Sequence, residues 1–140
     1  MSTSTVNVRP AAAAAGRVAF AALFLVSGIQ KRFVPAMIQG YIPLARLPVP
    51  SLVYAITVVI EIGAGALLLV GFWTRLTAWV PAAFTVAAAP IFHRALGDPN
   101  QFVHFLKNLA IAGGLVHIAG VGGGAFSLDG YTLEGRRSPA

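Results

Sequence analysis

The chain has 140 residues, 57% of them hydrophobic and 10% charged, with a mean hydropathy of +0.79. A soluble domain carries about 25% charged residues, so a water-covered globule is excluded, and the length allows one domain. The net charge of +6 does not signal nucleic acid, because the Lys and Arg residues are scattered at the ends of apolar runs rather than clustered, and the absence of cysteine excludes disulfides and thiolate chemistry.

A membrane helix needs about 20 apolar residues to cross a hydrocarbon core of about 30 Å. The first such run covers 12–30, interrupted by Arg17. Arg9 followed by the apolar stretch 18–26 also permits a secretory-signal reading. Three further runs follow, and four crossings place both termini on one side. Residues 31–50 carry Pro35, Pro43, Pro48 and Pro50, which break any long helix. The segment is too apolar to float in water, so a proline-rich first loop is expected to lie on the bundle or in the interface.

The second span covers 51–73, and a tight turn at 71–75 makes the third, 76–92, its antiparallel neighbour. Trp73 and Trp79 suit the headgroup zone. A polar connection with His93, Arg94, Asp98, Pro99 and Asn100 leads to the fourth span, 102–121, which holds Lys107 and Asn108 in its first third. The tail 122–140 is polar and is expected to be mobile. Its glycine run 120–124 lacks the strand and helix that a phosphate loop requires. Gly63, Gly65, Ala66, Gly113 and Gly114 are the small residues expected at helix seams. The expected fold is all-α: a single-domain integral membrane four-helix antiparallel bundle in the lipid bilayer. Positive charges divide evenly between the two sides; discounting Lys107 as intramembrane places the termini in the cytoplasm.

One acid lies inside a span. Glu61 is about ten residues into the second helix, hence about 15 Å deep, where a charge costs at least roughly 2.5 kcal/mol. Antiparallel tracing gathers Lys31, His93, Lys107 and Asn108 at the same end, and Tyr54 and Thr57 share the Glu61 face. Glu61 and Lys107 are therefore the residues expected to carry chemistry, with Lys107 as the partner of Glu61. Asn108, His93, Lys31, Tyr54 and Thr57 are expected to line a pocket. Plainer readings stand beside these: Glu61 satisfied structurally, Lys31 as a snorkelling anchor, and His93 as an interfacial polar group. His104 and His117 lie about 20 Å apart on one helix and share no ion. A bis-His haem would need His93 and His104, and no metal site is expected.

In order along the chain stand LFLVSGIQK at 23–31, Glu61 followed by GAGALLLVGFWTR at 63–75, FH at 92–93, FLKNLAIAGGL at 105–115 and GGGAFSLDG at 122–130. This ordered set resembles the DoxX family of small four-helix membrane proteins. Carried over by position, the resemblance points to Gly28, Lys31, Glu61, Gly71, Arg75, His93, Lys107, Asn108 and Asp129. It implies a bacterial inner-membrane protein similar to a small subunit of a thiosulfate:quinone oxidoreductase or terminal quinol oxidase; other relatives are associated with oxidative-stress defence and thiol homeostasis. The expectation is an oxidoreductase component with no intrinsic cofactor that binds a quinone or similar lipophilic small molecule. A protein partner in a redox complex, or a homo-oligomer, is part of it. Two other readings are a non-catalytic anchor for a partner enzyme and a transporter; the transporter should show an inverted repeat, and the unlike loops of the two halves do not supply one.

Overall fold

The computed structural model describes residues 8–137, and the regular structure in them is entirely α-helical. Its elements are α1 (Val8–Phe33), α2 (Pro35–Leu44), α3 (Pro50–Val70), α4 (Thr74–Phe92), α5 (Pro99–Val121) and α6 (Leu128–Arg137). Helices α1, α3, α4 and α5 are long and apolar enough to cross a membrane. The molecule is an integral membrane four-helix bundle.

Helix ends follow local chemistry. Pro35, Pro50 and Pro99 each open a helix, a position where the missing N–H costs nothing. The Asp98 carboxylate accepts from the Gln101 amide at 2.9 Å and caps α5, as an N-cap acid does. Helix α3 stops at Gly71, whose φ of 70° is left-handed. The Gly71 amide donates to Leu68 and the Phe72 amide to Leu67, a Schellman closure.

Two regions depart from expectation. The proline-rich segment is not a loop, because α1 continues to Phe33 and residues 35–44 form α2. Pro35 sits at the start, where a helix tolerates it, and Pro43 falls in the last turn, just before the helix ends at Leu44. At ten residues α2 is about 15 Å long, too short to span. It packs on α3 through Ile42 and leaves Met37, Tyr41 and Leu44 exposed. The tail expected to be mobile also carries regular structure: 128–137 fold as α6, while 138–140 lie outside the described residues.

The spans associate as α1 on α3 and α4 on α5, with α3 also against α4, whereas α1 and α5 pack thinly. The core is Ala21, Phe24, Leu68, Ala78, Ala82, Leu115, Ile118 and Ala119. Since α1 contributes Ala21 and Phe24, the first helix is a structural member of the bundle. Lipid provides no hydrophobic drive between helices, so close approach does the work. A Cβ at Gly28 would come within 2.7 Å of Ile62, and one at Gly65 within 2.9 Å of Leu25. Gly63 and Gly113, by contrast, have nothing near a Cβ position and face outward rather than into a seam. Trp73 and Trp79 are exposed, as membrane-boundary anchors should be.

Candidate functional site

Glu61 is the twelfth residue of α3, about 16 Å from its start and so close to the middle of a 30 Å hydrocarbon layer. Its side chain is 7% exposed, and its partner is Lys31, near the end of α1. The Lys31 ammonium donates to both carboxylate oxygens, at 2.8 and 2.9 Å, and to Ser27 Oγ at 2.6 Å. Ser27 in turn donates to Glu61 Oε1 at 3.0 Å. Helical side chains lean toward their own N-terminus, and in antiparallel neighbours those leans are opposed. Lys31 therefore reaches down and Glu61 reaches up until they meet, one helical turn from the Gly28 contact that brings the backbones together.

Tyr54 and Thr57 have lesser parts. The Tyr54 hydroxyl donates to the Lys31 carbonyl at 3.2 Å, adding to the bond that this carbonyl receives from the Val34 amide. Thr57 returns its hydroxyl to Val53 on its own helix at 2.9 Å. The expected Lys107 partnership with Glu61 does not form: Lys107 is exposed on α5, at a similar depth but on an outward-facing side of the helix. His93 is also elsewhere. Its Nδ1 lies 3.0 Å from Gln101 Oε1, and it borders a separate hollow of about 300 Å³ with Tyr41 and Arg94. The His93 and His104 rings are stacked, 5.1 Å between centroids and 20° apart. The two imidazoles thus pack against each other rather than across a gap.

Beside the ion pair is a cavity of about 190 Å³ walled by all four spans. Helix α1 contributes Leu23, Phe24 and Ser27; α3 contributes Glu61; α4 contributes Phe84, Thr85 and Ala88; α5 contributes Asn108 and Ile111. The Thr85 hydroxyl is occupied by the Pro81 carbonyl at 2.6 Å. Asn108 is half-buried and outside the Ser27–Lys31–Glu61 network. The lining offers a small polar head the Glu61 carboxylate, the Ser27 hydroxyl and the Asn108 amide, with Phe24 and Phe84 as apolar wall.

A second polar cluster occupies the opposite end, where the sequence gives little warning of it. Arg17, 3% exposed, donates to the carbonyls of Leu68 and Leu69 at the end of α3 and of Phe126 before α6. Asp129 accepts from the Trp73 and Thr74 amides at 2.8 Å each, filling the start of α4, and its own amide donates to Gly71 at 3.0 Å. Burial pushes the Asp129 carboxyl up, but the hydrogen bonds from Thr74 and Trp73 and the nearby Arg17 charge outweigh it and hold the group below its ordinary value. An open depression of about 660 Å³ adjoins this end. Although larger, it is a weaker candidate, because Asp129 there is already committed to capping α4.

A family model described as DoxX matches residues 12–94. The chain is 34% identical over 113 residues to Inner membrane protein YqjF of Escherichia coli (strain K12), covering 81% of this chain and 85% of that one. It is 34% identical over 127 residues to Inner membrane protein YphA of the same organism, covering 86% of this chain and 90% of that one. No solved structure matches the chain significantly.

Proposed function

The chain belongs to the DoxX family, and from that premise we propose that it is a membrane oxidoreductase component that binds the head of a quinone or similar lipophilic redox molecule in the cavity beside Glu61. The observation that carries this reading is the Ser27–Lys31–Glu61 cluster facing a cavity in mid-membrane. A buried ion pair is seldom worth more to stability than apolar residues of the same volume, so stability alone gives no reason for a charged pair at this depth. Intramembrane ionisable groups commonly mark ligand or proton pathways.

The volume suits one ring. Sites for drug-sized ligands run from about 300 Å³ upward, so about 190 Å³ accommodates a head group and little else. In this reading Asn108 donates to a ring oxygen from α5, Lys31 holds the Glu61 carboxylate in place as its ion-pair partner, and Glu61 accepts or returns the proton exchanged when the head changes oxidation state. Electrons come from the redox centre of a partner protein. Lys31 takes the role first assigned to Lys107.

The test is binding of a hydroquinone analogue, whose hydroxyl can donate to the Glu61 carboxylate, to the purified chain in lipid nanodiscs. Glu61→Gln lowers affinity at least about tenfold, the loss of one charge-assisted hydrogen bond of about 1.5 kcal/mol or more. Lys107→Gln, outside the cavity, leaves it unchanged. Equal affinities for the parent and Glu61→Gln would remove the assignment.

A second reading, a non-catalytic anchor, draws on the outward Gly63 and Gly113, where a neighbouring helix can approach closely. Co-purification of an obligate redox partner with an empty cavity would favour it.

A further inference from the structure

The polar cavity has an entrance, and its position restricts the ligand. Phe20 on α1 meets Gly114 on α5, and counting on in antiparallel step places Leu23 level with Ile111 and Ser27 level with Asn108, all four of which line the cavity. At the first level the seam is shut, because the Phe20 ring lies in the space a Cβ on Gly114 would fill. At the next two levels the same pair of helices lines the cavity. There Leu23 is 45% exposed and Ser27, Asn108 and Ile111 are half-buried, while Glu61 and Thr85 on the far walls are buried. The walls toward α3 and α4 are packed, and α1 against α5 is the thin side. Asn108 lies about 13 Å and Ile111 about 18 Å from the start of α5, so this gap opens at the depth of acyl chains rather than of headgroups.

We infer that the cavity is loaded sideways from the bilayer through a mouth between α1 and α5 framed by Leu23 and Ile111, and that its ligand is an amphiphile whose single apolar tail leaves through that mouth. The inference rests on the proposed head-group site and adds what the rest of the molecule must be. A cavity of this size cannot hold a tail, and a tail left in the mouth stays in contact with lipid. The half-buried Asn108 amide at the inner edge also requires a polar atom, since an unpartnered amide at this depth is costly. A head seated just inside the mouth supplies one.

The experiment compares two probes on the full chain in nanodiscs: 2,3-dimethoxy-5-methyl-1,4-benzoquinone, which has no tail, and its decyl derivative. In the unaltered chain the decyl probe binds more tightly. Narrowing the mouth with Ile111→Trp or Leu23→Phe weakens the decyl probe about tenfold more than the tail-less probe, the equivalent of about two buried methylenes. Leu23→Ala and Ile111→Ala, which open the mouth without adding bulk, speed exchange of the decyl probe. If both probes bind the parent and the mouth variants treat them alike, the lateral route is wrong and the head-group site stands. If neither probe binds the parent, the head-group site fails and the route with it.

Discussion

Replacing Lys31 by Met leaves Glu61 in mid-membrane with Ser27 as its remaining hydrogen-bond donor, since both ammonium bonds, at 2.8 and 2.9 Å, are removed. Removing one member of a buried pair costs about 3 to 5 kcal/mol. The Lys31 side chain is 22% exposed against 7% for Glu61, which places the loss near the lower end, about 3 kcal/mol. Glu61→Gln costs less, because Lys31 stands at a helix end and its freed ammonium can turn toward the headgroups. The double variant removes both charges and recovers to within about 1 kcal/mol of the parent. The assay is SDS-driven unfolding in mixed micelles followed by fluorescence of Trp73 and Trp79, with the coupling energy taken from the full cycle. Strict additivity of the two single losses, or a Lys31→Met variant within about 0.5 kcal/mol of the parent, would refute the pairing.

Three further outcomes follow from the packing. Gly28→Val lowers stability by about 1 to 3 kcal/mol, because its Cβ meets Ile62 at 2.7 Å, while Gly63→Ala, with open space around it, is near neutral; thermal unfolding in micelles compares them. Arg17→Met removes the guanidinium bonds to three carbonyls, of which Leu68 keeps the Gly71 amide, and costs about 3 kcal/mol; Arg17→Lys restores less than half, since a point charge does not span the fork, and protease sensitivity of 122–137 reports the detached tail. Asp129 titrates below its ordinary value when docked, so the docked tail binds fewer protons than the free one. Its stability contribution is present above about pH 4 and is lost as pH falls further. An acid titration of Trp73 fluorescence should show this step, and Asp129→Asn should abolish it; an unchanged step would assign it to another group.

The sequence reveals depth well and azimuth poorly. Glu61 stands out from residue type and position alone, and the four spans follow from hydropathy. Its partner does not, since counting along α5 puts Lys107 at a suitable depth while leaving open which way it faces. Lys31 looks like a boundary anchor until the lean of its side chain and the close approach at Gly28 are known. Ser27, one turn before Lys31 on the same helix face, was legible in principle from that spacing. Arg17 reads as an interruption because its carbonyl partners lie 51, 52 and 109 positions away. The tail reads as polar coil for the same reason: Asp129 gains its role from α4 amides 55 and 56 residues earlier.

The Arg17 contacts also impose an order on biosynthesis. The guanidinium enters the translocon with the first span, long before any partner exists. Leu68 and Leu69 can receive it only after α3 is made, and Phe126 only after α5 is threaded. Closure of the bundle at that end is therefore the last event of assembly. A nascent chain cut before Phe126 would contain every span yet lack the contacts that join α1, α3 and α4 to the tail.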